Sequence, residues 1–408
     1  MNVKMKLFLV TLVVFLAGCF GSNLTDSALY ADVSDARQAE KSLIVDAAFP
    51  GGNISVKSSE SNVYKLEQEL RGSPSHCFYW AFRVKNVTKP QTVTFSFSGQ
   101  TVVSCWGPAV SRDGGKTWSW LYSDKHYKSD RFSYTFKAGE NNLIFADAPM
   151  YVQADFDRFF NTFAGTDKIQ RDVLCKSRKD RDVELYRFGL NQNSPNTIVF
   201  TARHHARETA ASYVLEGTIQ EILSGSAEGN YLLANAAFYV IPFVDKDGVE
   251  DGDPGKNRAP HDHNRDYGEK IYPSVQAITS KVPQWSQGSK LVLIDYHCPG
   301  LHTNQFYFTN YKPSYMLDQL NRLTAHLVER HQGNGIPFTS QTKPSGSLNP
   351  AMSRAWFSSQ PNAILAVTLE VPFATAKDVM VTPENLRQLG HDLAKALADF
   401  IRDEQTRK

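Results

Sequence analysis

Short apolar segments alternate with amphipathic segments in the second part of the chain, and this alternation constrains the fold most. Four runs have the composition of buried strands, at 197–201, 238–242, 291–295 and 363–369. Three segments have the apolar spacing of helices, at 209–223, 315–329 and 384–402. Buried strands that alternate with helices predict a sheet covered on both faces. We therefore predict an α/β domain over residues 150–408, with a mixed β-sheet flanked by helices.

Residues 42–149 follow a different pattern, that of short strands without long helices. Val93, Phe95 and Phe97 alternate with Thr and Ser, which is the period of a half-buried strand. Gly-containing turn clusters separate such segments, and together they predict an antiparallel β-sandwich domain. The stretch 111–118, Ser-Arg-Asp-Gly-Gly-Lys-Thr-Trp, resembles the Asp-box hairpin of sialidases. One copy of this motif favours a structural hairpin over a glycan site.

The first residues have the features of an export signal. Lys4 and Lys6 precede an apolar run at 7–17, which is shorter than the ~20 residues that span a bilayer. The run ends in Leu-Ala-Gly before Cys19, which is similar to a bacterial lipobox. We expect a lipoprotein signal peptide at 1–18, a lipid on Cys19 that anchors the protein to a bacterial membrane, and a flexible tether at 19–41. An ordinary signal peptide cut near Ser22 is the alternative.

The charge and the cysteine content of the chain argue against a nucleic-acid partner and against a zinc ribbon. The formal net charge is +2, and it falls to about zero without Lys4 and Lys6. The absence of a basic block argues against a nucleic-acid partner. Four cysteines would remain after lipidation, and export permits disulfides, of which Cys77–Cys105 is one plausible pair. Their spacing does not fit a zinc ribbon; the four are Cys77, Cys105, Cys175 and Cys298.

Two histidines and a glutamate follow the ends of predicted strands. His205 and Glu208 lie three residues apart after the run at 197–201, and His297 follows the run at 291–295. Two imidazoles and one carboxylate suit Zn²⁺ in an open, hydrolytic site. His204 should point away from His205, because neighbouring side chains alternate. We interpret it as a structural or supporting residue; two further conceivable ligands are His261 and His263.

Charged residues in the loop 256–267 and at the end of the last strand complete the candidate chemistry. Arg258 is a permanent cation that can stabilise an oxyanion, and the pair Asn264–Arg265 can grip a carboxylate. The alternative is a solvated loop with surface charges. Glu370 ends the run at 363–369, where a carboxylate is costly unless it has a partner or a function. Beside a metal-activated water it would serve as general base.

These motifs together resemble the zinc carboxypeptidase family. The resemblance rests on His205-Ala-Arg-Glu208, on Asp262-His-Asn-Arg265, and on His297 and Glu370 in this order. The β-rich part is similar to that of the cytosolic-carboxypeptidase-like branch, around 77–84 and 151–155. The resemblance implies a zinc-dependent metallocarboxypeptidase that hydrolyses the C-terminal bond of peptides or proteins, with residues 150–408 as the catalytic domain.

The resemblance also implies a role for each residue. One Zn²⁺ per chain would be held by His205, Glu208 and His297, and Asp262 would orient one of the imidazoles. Glu370 would take the proton of the attacking water, and Arg258 would stabilise the oxyanion. Substrate binding would fall to Asn264, Arg265 and Arg207.

Two features depart from the family pattern. Only six positions separate Arg258 from Asn264, which is a compact loop. Many family members also place a tyrosine before the general base, and no tyrosine follows Tyr315 here, so Trp356 is the replacement that we consider.

The sequence narrows the substrate only slightly. The segment 331–368 contains no Asp or Glu but includes Lys343 and Arg354. We expect no preference for C-terminal Lys or Arg, and Arg354 either favours an acidic residue or faces solvent. A zinc amidase or deacylase of the same fold, and a non-catalytic surface binding protein, stay open as alternatives, as does the oligomeric state.

Overall fold

The N-terminal part of the chain consists of strands arranged in two sheets. A computed structural model describes residues 43–74, 78–189, 194–310, 314–332, 335–337, 343–344 and 349–406. The predicted signal peptide, Cys19, the tether and Cys77 lie outside these residues. The strands of this part are β1 (Ile44–Asp46), β2 (Ser55–Glu60), β3 (Val63–Glu67), β4 (Ala81–Lys85), β5 (Gln91–Ser96), β6 (Ala109–Ser111), β7 (Ser119–Trp120), β8 (Arg131–Phe136) and β9 (Leu143–Ala146).

The two sheets of this part differ in strand order and direction. One has the order β1-β4-β9-β6-β7 and the other has the order β2-β3-β5-β8. All neighbours are antiparallel except β3 and β5, which run parallel. The prediction of an antiparallel arrangement is therefore wrong for this pair. The reason is that β4, which lies between them in the sequence, belongs to the other sheet, so the chain crosses over and returns in the same direction.

A shared apolar core holds the two sheets together. Val93, Phe95 and Phe97, which alternate in the sequence, are all buried in it. The rings of Phe82 in one sheet and Phe95 in the other lie 4.9 Å apart between centroids. The predicted hairpin at 111–118 is confirmed, because β6 and β7 pair across it and Asp113 accepts hydrogen bonds from the backbone N–H groups of the turn.

The second part of the chain alternates between helices and strands. Its described elements are α1 (Gln153–Phe160), β10 (Gln170–Lys176), β11 (Asp182–Phe188), β12 (Asn196–Ala202), α2 (Thr209–Leu223), α3 (Ala227–Asn235), β13 (Ala236–Ile241), α4 (Lys246–Asp251), α5 (Pro273–Trp285), β14 (Lys290–His297), β15 (Tyr307–Asn310), α6 (Ser314–Arg330), β16 (Lys343–Pro344), α7 (Ser353–Ser358), β17 (Ala363–Glu370), β18 (Thr375–Ala376), β19 (Val379–Met380) and α8 (Pro383–Thr406).

One mixed sheet of eight strands organises this part. Its order is β10-β11-β13-β12-β14-β17-β15-β16, and the four strands β13, β12, β14 and β17 run parallel. Alternate residues of β14 enter different apolar clusters, with Val292 and Ile294 packed against α2 and α8, and Leu291 and Leu293 against α5 and α7. Helices therefore cover both faces, as the sequence predicts.

The carboxyl ends of β12, β14 and β17 meet at one edge of the sheet, which we call the carboxyl edge. The register places Asp295 beside Thr201 and Thr368, and His297 beside Glu370. Side chains at these strand ends and on the following loops are therefore brought together.

Residues 42–408 form one compact unit, and the proposed boundary between 149 and 150 stays a prediction. No helix within the described ranges is long and apolar enough to cross a bilayer. Cys105, Cys175 and Cys298 are free thiols, and the suggested Cys77–Cys105 bridge involves Cys77, which lies outside the described residues.

Candidate metal centre

The turn after β12 presents two of the predicted metal ligands. At its start Arg203 has a positive φ of 60°, which turns the backbone sharply at the strand end. Its buried guanidinium donates to the carbonyl oxygens of Ala206 and, at 2.7 Å, of Tyr151. These bonds fix the turn from which His205 and Glu208 project. Sequence analysis missed Arg203, since its only signal is a charged residue directly after a buried strand.

His205, Glu208 and His297 are brought together at the carboxyl edge. Nδ1 of His205 lies 2.8 Å from Glu208 Oε1, and Nδ1 of His297 lies 2.7 Å from Glu208 Oε2. One ligand atom of each residue lies within 4.8 Å of the other two. All three side chains are buried, with exposed fractions between 0% and 3%. The three residues are henceforth called the trio.

A carboxylate lies behind each imidazole of the trio. Nε2 of His205 is 3.2 Å from Asp262 Oδ1, and Nε2 of His297 is 3.0 Å from Asp295 Oδ2. When the distal nitrogen donates to a carboxylate, the Nδ1 lone pair is left for a metal ion. Asp262 thus lies where its predicted orienting role requires. Asp295 was missed, although its Asp-x-His spacing at a strand end is a usable signal.

Within the trio, the charges of neighbouring groups shift the pKa values more than burial does. Burial opposes the charged form of Glu208, but the two imidazoles hold the pKa of its carboxyl well below the ordinary value. Burial also opposes protonation of His297, yet Asp295 and Glu208 raise the pKa of that imidazole well above 6.5. Glu208 and Asp262 likewise raise the pKa of His205 against the effect of burial. The carboxylates of this site therefore favour a positive charge at the imidazoles, as a cation site requires.

His204 lies behind the trio, as the alternation of side chains predicts. Its Nδ1 is 3.0 Å from Asp295 Oδ1, and its Nε2 is 2.9 Å from the hydroxyl of Tyr267. A second set of metal-capable groups, formed by His204, Asp295 and His297, shares one histidine with the trio. We favour the trio as the metal site, because His204 contacts the hydroxyl of Tyr267 and Asp295 accepts from the hydroxyl of Thr201, so both already have other partners.

Glu370 ends β17 beside His297. Its Oε2 is buried without a hydrogen-bond partner among the described residues. Burial raises the pKa of its carboxyl above 4.5, although the charge of His297 acts in the opposite direction. A buried, unpartnered carboxyl oxygen beside a candidate metal site is suited to accept a proton.

Tyr307 lies opposite Glu370 on the antiparallel neighbour β15. Directly opposed residues on antiparallel strands project from the same face of a sheet. Burial, followed by the charges of Glu370 and Glu208, raises the pKa of the Tyr307 phenol to about 12. A tyrosine therefore does lie at the site, although it precedes Tyr315 in the sequence. Trp356, the considered replacement, instead packs against Tyr267 at 5.8 Å between ring centroids.

Arg258 is held away from the trio by two acidic residues. Its guanidinium donates to Asp245 at 2.7 Å and to Asp253, and it is 9% exposed. It lines a cavity of about 170 Å³ that includes His263 and none of the trio. This geometry argues against the predicted oxyanion role, because both ends of the guanidinium are engaged elsewhere.

The pair Asn264–Arg265 lies in a 3₁₀ turn that Asp262 caps. The amide Nδ2 of Asn264 is 3.2 Å from Nε2 of His297, and its Oδ1 accepts from the backbone N–H of Ser353. One guanidinium nitrogen of Arg265 donates to the carbonyl of Asn264 at 2.7 Å. Both residues border the trio, and their predicted grip on a substrate carboxylate stays a prediction.

The two other histidines considered as metal ligands, His261 and His263, do not belong to the trio. His263 is buried and stacks on Tyr272, with 3.6 Å between ring centroids. Nε2 of His261 lies 2.7 Å from the carbonyl oxygen of Arg265. Both rings therefore support the loop rather than the candidate metal site.

Two further arginines predicted to bind substrate are buried. Arg207 is 7% exposed, and its guanidinium carbon lies 4.0 Å from the ring centroid of Phe78 in the β-rich part. Arg354 is 2% exposed and donates to the hydroxyl of Thr309 at 2.7 Å. The alternative that Arg354 faces solvent is therefore wrong. Arg354 directly follows Ser353, whose N–H binds Asn264.

The donor set of the trio fits Zn²⁺. Two imidazole nitrogens and one carboxylate oxygen are a common ligand set of hydrolytic zinc sites, which keep a fourth position for water or substrate. The carboxylates behind both imidazoles and the unpartnered oxygen of Glu370 belong to the same arrangement. Hard cations such as Mg²⁺ prefer an all-oxygen set, which the trio does not offer.

Comparison with known proteins gives consistent results. Residues 166–396 match the family model described as zinc carboxypeptidase. Cytosolic carboxypeptidase 6 from Caenorhabditis elegans is 24% identical over 83% of this chain and 80% of its own length. Cytosolic carboxypeptidase 2 from Xenopus tropicalis is 22% identical over 89% of this chain, which spans only 42% of that relative. The crystal structure of a metallo-carboxypeptidase from Burkholderia cenocepacia shares the fold, with a TM-score of 0.73, 17% identity, and coverage of 89% of this chain and 99% of that one.

Proposed function

Because this chain belongs to the zinc carboxypeptidase family, we propose that the trio holds its Zn²⁺ at the carboxyl edge for hydrolysis of C-terminal peptide bonds. The protein is a zinc-dependent peptide hydrolase that acts on the C-termini of peptides or proteins. The observation that supports the assignment of residues is the convergence of His205, Glu208 and His297 beside Glu370, from three separate strand ends.

Glu370 is the proposed general base. When bound, Zn²⁺ supplies a Lewis acid that activates water and polarises the scissile carbonyl. Glu370 accepts the proton of the attacking water on its unpartnered carboxyl oxygen and delivers it to the departing amine. Burial favours its protonated form, so the proton is readily held between the two steps.

Asp262 and Asp295 are the proposed orienting residues. Each accepts a hydrogen bond from the distal nitrogen of one trio histidine, which fixes the ring orientation and the tautomer. The buried hydroxyl of Thr201 donates to Asp295 at 2.7 Å and thereby fixes that carboxylate in turn.

Asn264 and Arg265 are the proposed contacts of the free C-terminal carboxylate, which restrict cleavage to the chain end. They border the trio, and the guanidinium of Arg265 is half-buried, which strengthens a charge-assisted hydrogen bond. Arg207 is kept as a proposed substrate contact.

Arg354 is the proposed determinant of side-chain preference. It is a buried cation, and its neighbour Ser353 is bonded to Asn264. A buried cation disfavours a C-terminal Lys or Arg and favours an acidic residue.

A peptide-digestion experiment tests the proposed function. A defined peptide mixture is incubated with the enzyme, with chelator-treated enzyme and with Glu370→Gln, and the products are identified by mass spectrometry. Stepwise loss of C-terminal residues in the first sample alone is expected. Glu404→Gln is the control, since Glu404 is a buried glutamate on α8 that does not belong to the trio. Hydrolysis of C-terminally amidated peptides at the same rate would indicate the amidase alternative.

Competition between matched peptides tests the side-chain preference. Peptides that differ only in a terminal Glu, Leu or Lys are supplied together, and release of Glu ahead of Lys is expected. Arg354→Leu should remove the advantage of Glu. Preferential release of Lys would contradict the proposal.

Export and lipid anchoring are also proposed, from the sequence of residues 1–41. A lipid on Cys19 would hold the protein in the periplasm or on the cell surface, which accounts for the signal-like start of the chain. In this proposal a β-sandwich domain precedes the catalytic domain. Metabolic labelling with an alkyne fatty acid tests the anchor: the wild-type protein should be labelled and Cys19→Ser should not. Labelling of both, or of neither, would contradict lipidation at this residue.

A further inference from the structure

The segment that leads from α4 to the 3₁₀ turn contains a second cation, Lys256, two residues before Arg258. Arg258 is neutralised by Asp245 and Asp253, so its charge is not directed at the trio. Acyl transfer builds negative charge on the carbonyl oxygen, and a positioned cation or donor stabilises it. The position of Lys256 relative to the trio is therefore decisive.

The backbone around Lys256 is fixed to His205 on both sides. Gly255 has a φ of 80°, and a Cβ atom there would lie only 2.4 Å from the nitrogen of Ala206 and 3.2 Å from the Cα of His205. A side chain is therefore excluded, and the backbone before Lys256 packs directly on the ligand turn. After Lys256, the N–H of Asn257 donates at 2.8 Å to Asp262, the carboxylate that contacts His205.

The side chain of Lys256 is half-buried and available. Within the described part of the chain its ammonium has no ion-pair partner, whereas Arg258 has two. The charge of Lys256 reaches Glu370, where it opposes the larger effect of burial and lowers the pKa of the carboxyl.

We propose that Lys256, rather than Arg258, is the catalytic cation that stabilises the oxyanion formed from the scissile carbonyl. This inference rests on the proposed function of the trio. A lysine can take this role because its ammonium is a compact charge on a flexible stem. Arg258 then has a structural role, in which it neutralises Asp245 and Asp253 below the loop.

Substitution of each cation separates the two roles. Lys256→Gln should lower kcat by about 10²–10³-fold, the usual effect of losing one oxyanion donor, with a smaller change in KM. Lys256→Arg should recover most of the loss, because it restores the charge. Arg258→Gln should chiefly lower the melting temperature, since it removes the ion-pair partner at 2.7 Å from the buried Asp245 and one ion-pair partner from the partly buried Asp253. Lys65→Gln is the control, because Lys65 is exposed on β3.

A binding measurement supplies a second readout. A phosphonate peptide analogue carries an anionic oxygen in place of the oxyanion, and its affinity for Lys256→Gln should fall by a factor similar to that of kcat. Zinc content and melting temperature should stay at the wild-type values. Unchanged kcat in Lys256→Gln, or equal damage in Lys256→Gln and Lys256→Arg, would overturn the inference. Absence of C-terminal release by the wild-type enzyme would instead refute the proposed function itself.

Discussion

The core of the β-rich part and the carboxyl edge of the large sheet are both buried, but the core contains apolar rings and the carboxyl edge contains ionisable side chains. Aromatic rings such as Trp80 and Phe97, 4.6 Å apart between centroids, fill the first. Glu208, His297 and Asp295 fill the second, with at most 2% of each side chain exposed. Burial alone stabilises the rings, whereas it destabilises each charge unless a neighbour compensates. The carboxyl edge therefore depends on specific partners, and the aromatic core depends on volume.

This difference determines how the aromatic core and the carboxyl edge respond to amino-acid substitutions. An apolar core loses stability in proportion to the contacts and volume removed. A buried cluster of charges responds to the loss of one partner, even when the volume is conserved, because the remaining charges lose compensation. Volume-conserving substitutions at the carboxyl edge should therefore alter the chemistry of the site, and they should also lower stability where they remove the partner of a buried charge. Truncations in the aromatic core should chiefly lower stability.

Glu370→Gln should have the largest effect on activity. It conserves volume but removes the proton acceptor, and loss of a general base lowers kcat by about 10²–10⁴-fold. The melting temperature should change little, because the Oε2 atom of Glu370 has no hydrogen-bond partner among the described residues. Steady-state kinetics and thermal unfolding measure the two quantities. A variant with wild-type kcat would show that another residue accepts the proton.

Phe95→Ala should have the largest effect on stability. Phe95 is fully buried and contacts the rings of Phe82, Phe132 and Phe145. Truncation of such a residue typically lowers the free energy of unfolding by about 3–5 kcal/mol. Denaturant unfolding measures this loss, and kcat per folded molecule should not change. Tyr127→Ala, at a position that is 96% exposed, is the control. A large fall in kcat would show that the two regions are coupled.

Asp295→Asn should have an intermediate effect, on the affinity for zinc. Asp295 accepts from His297 and is contacted by Thr201 and His204. Loss of such an orienting carboxylate usually lowers metal affinity by about 10–100-fold. Competition with a chromogenic chelator measures the change. Asp392→Asn is a matched control, since Asp392 and His331 form another buried pair, on α8 and after α6. Equal losses in both variants would indicate a general effect on stability.

The pH dependence of zinc binding should show the smallest effect. Burial acts to lower the pKa values of His205 and His297, but Glu208 and the supporting carboxylates raise them above 6.5, so the imidazoles hold their protons to a higher pH than a free histidine does. Zinc binding must release them, and affinity should fall by about tenfold per pH unit for each proton as the pH decreases below the raised pKa values. Calorimetry in two buffers with different ionisation enthalpies counts the protons. An affinity for zinc that does not fall as the pH decreases would contradict the assignment of ligands.

Much of the fold was predictable because its signals are local. The periodicity at 209–223 predicts α2 at its observed bounds, and the apolar run at 363–369 predicts β17 with Glu370 at its end. The parallel pairing of β3 and β5 was not predictable, since it depends on which sheet receives β4. Strand direction within a sheet is set by contacts between distant segments, which period and composition do not encode.

The site was predictable in its residue types and less so in its contacts. His205, Glu208 and His297 converge because each follows or ends a parallel strand, and parallel strands present their carboxyl ends at one edge. The ion-pair partners of Arg258 could not be predicted from the sequence in this way. A guanidinium is attracted to any nearby carboxylate, and in the folded chain Arg258 forms its ion pairs with Asp245 and Asp253.

The sequence by itself predicted four buried strands and three helices of the second part, the residue types of the candidate zinc ligands, and the position of Glu370 at a strand end. These properties follow from periodicity and from residue type, which are local. Only the tertiary structure decided that Tyr307 lies opposite Glu370 and that Asp295 supports His297. It also decided that Arg258 pairs with Asp245, whereas Lys256 has no ion pair with any residue that the structure describes. The physical reason is that electrostatic and hydrogen-bond partners are selected by distance in space, and burial makes each selection energetically large.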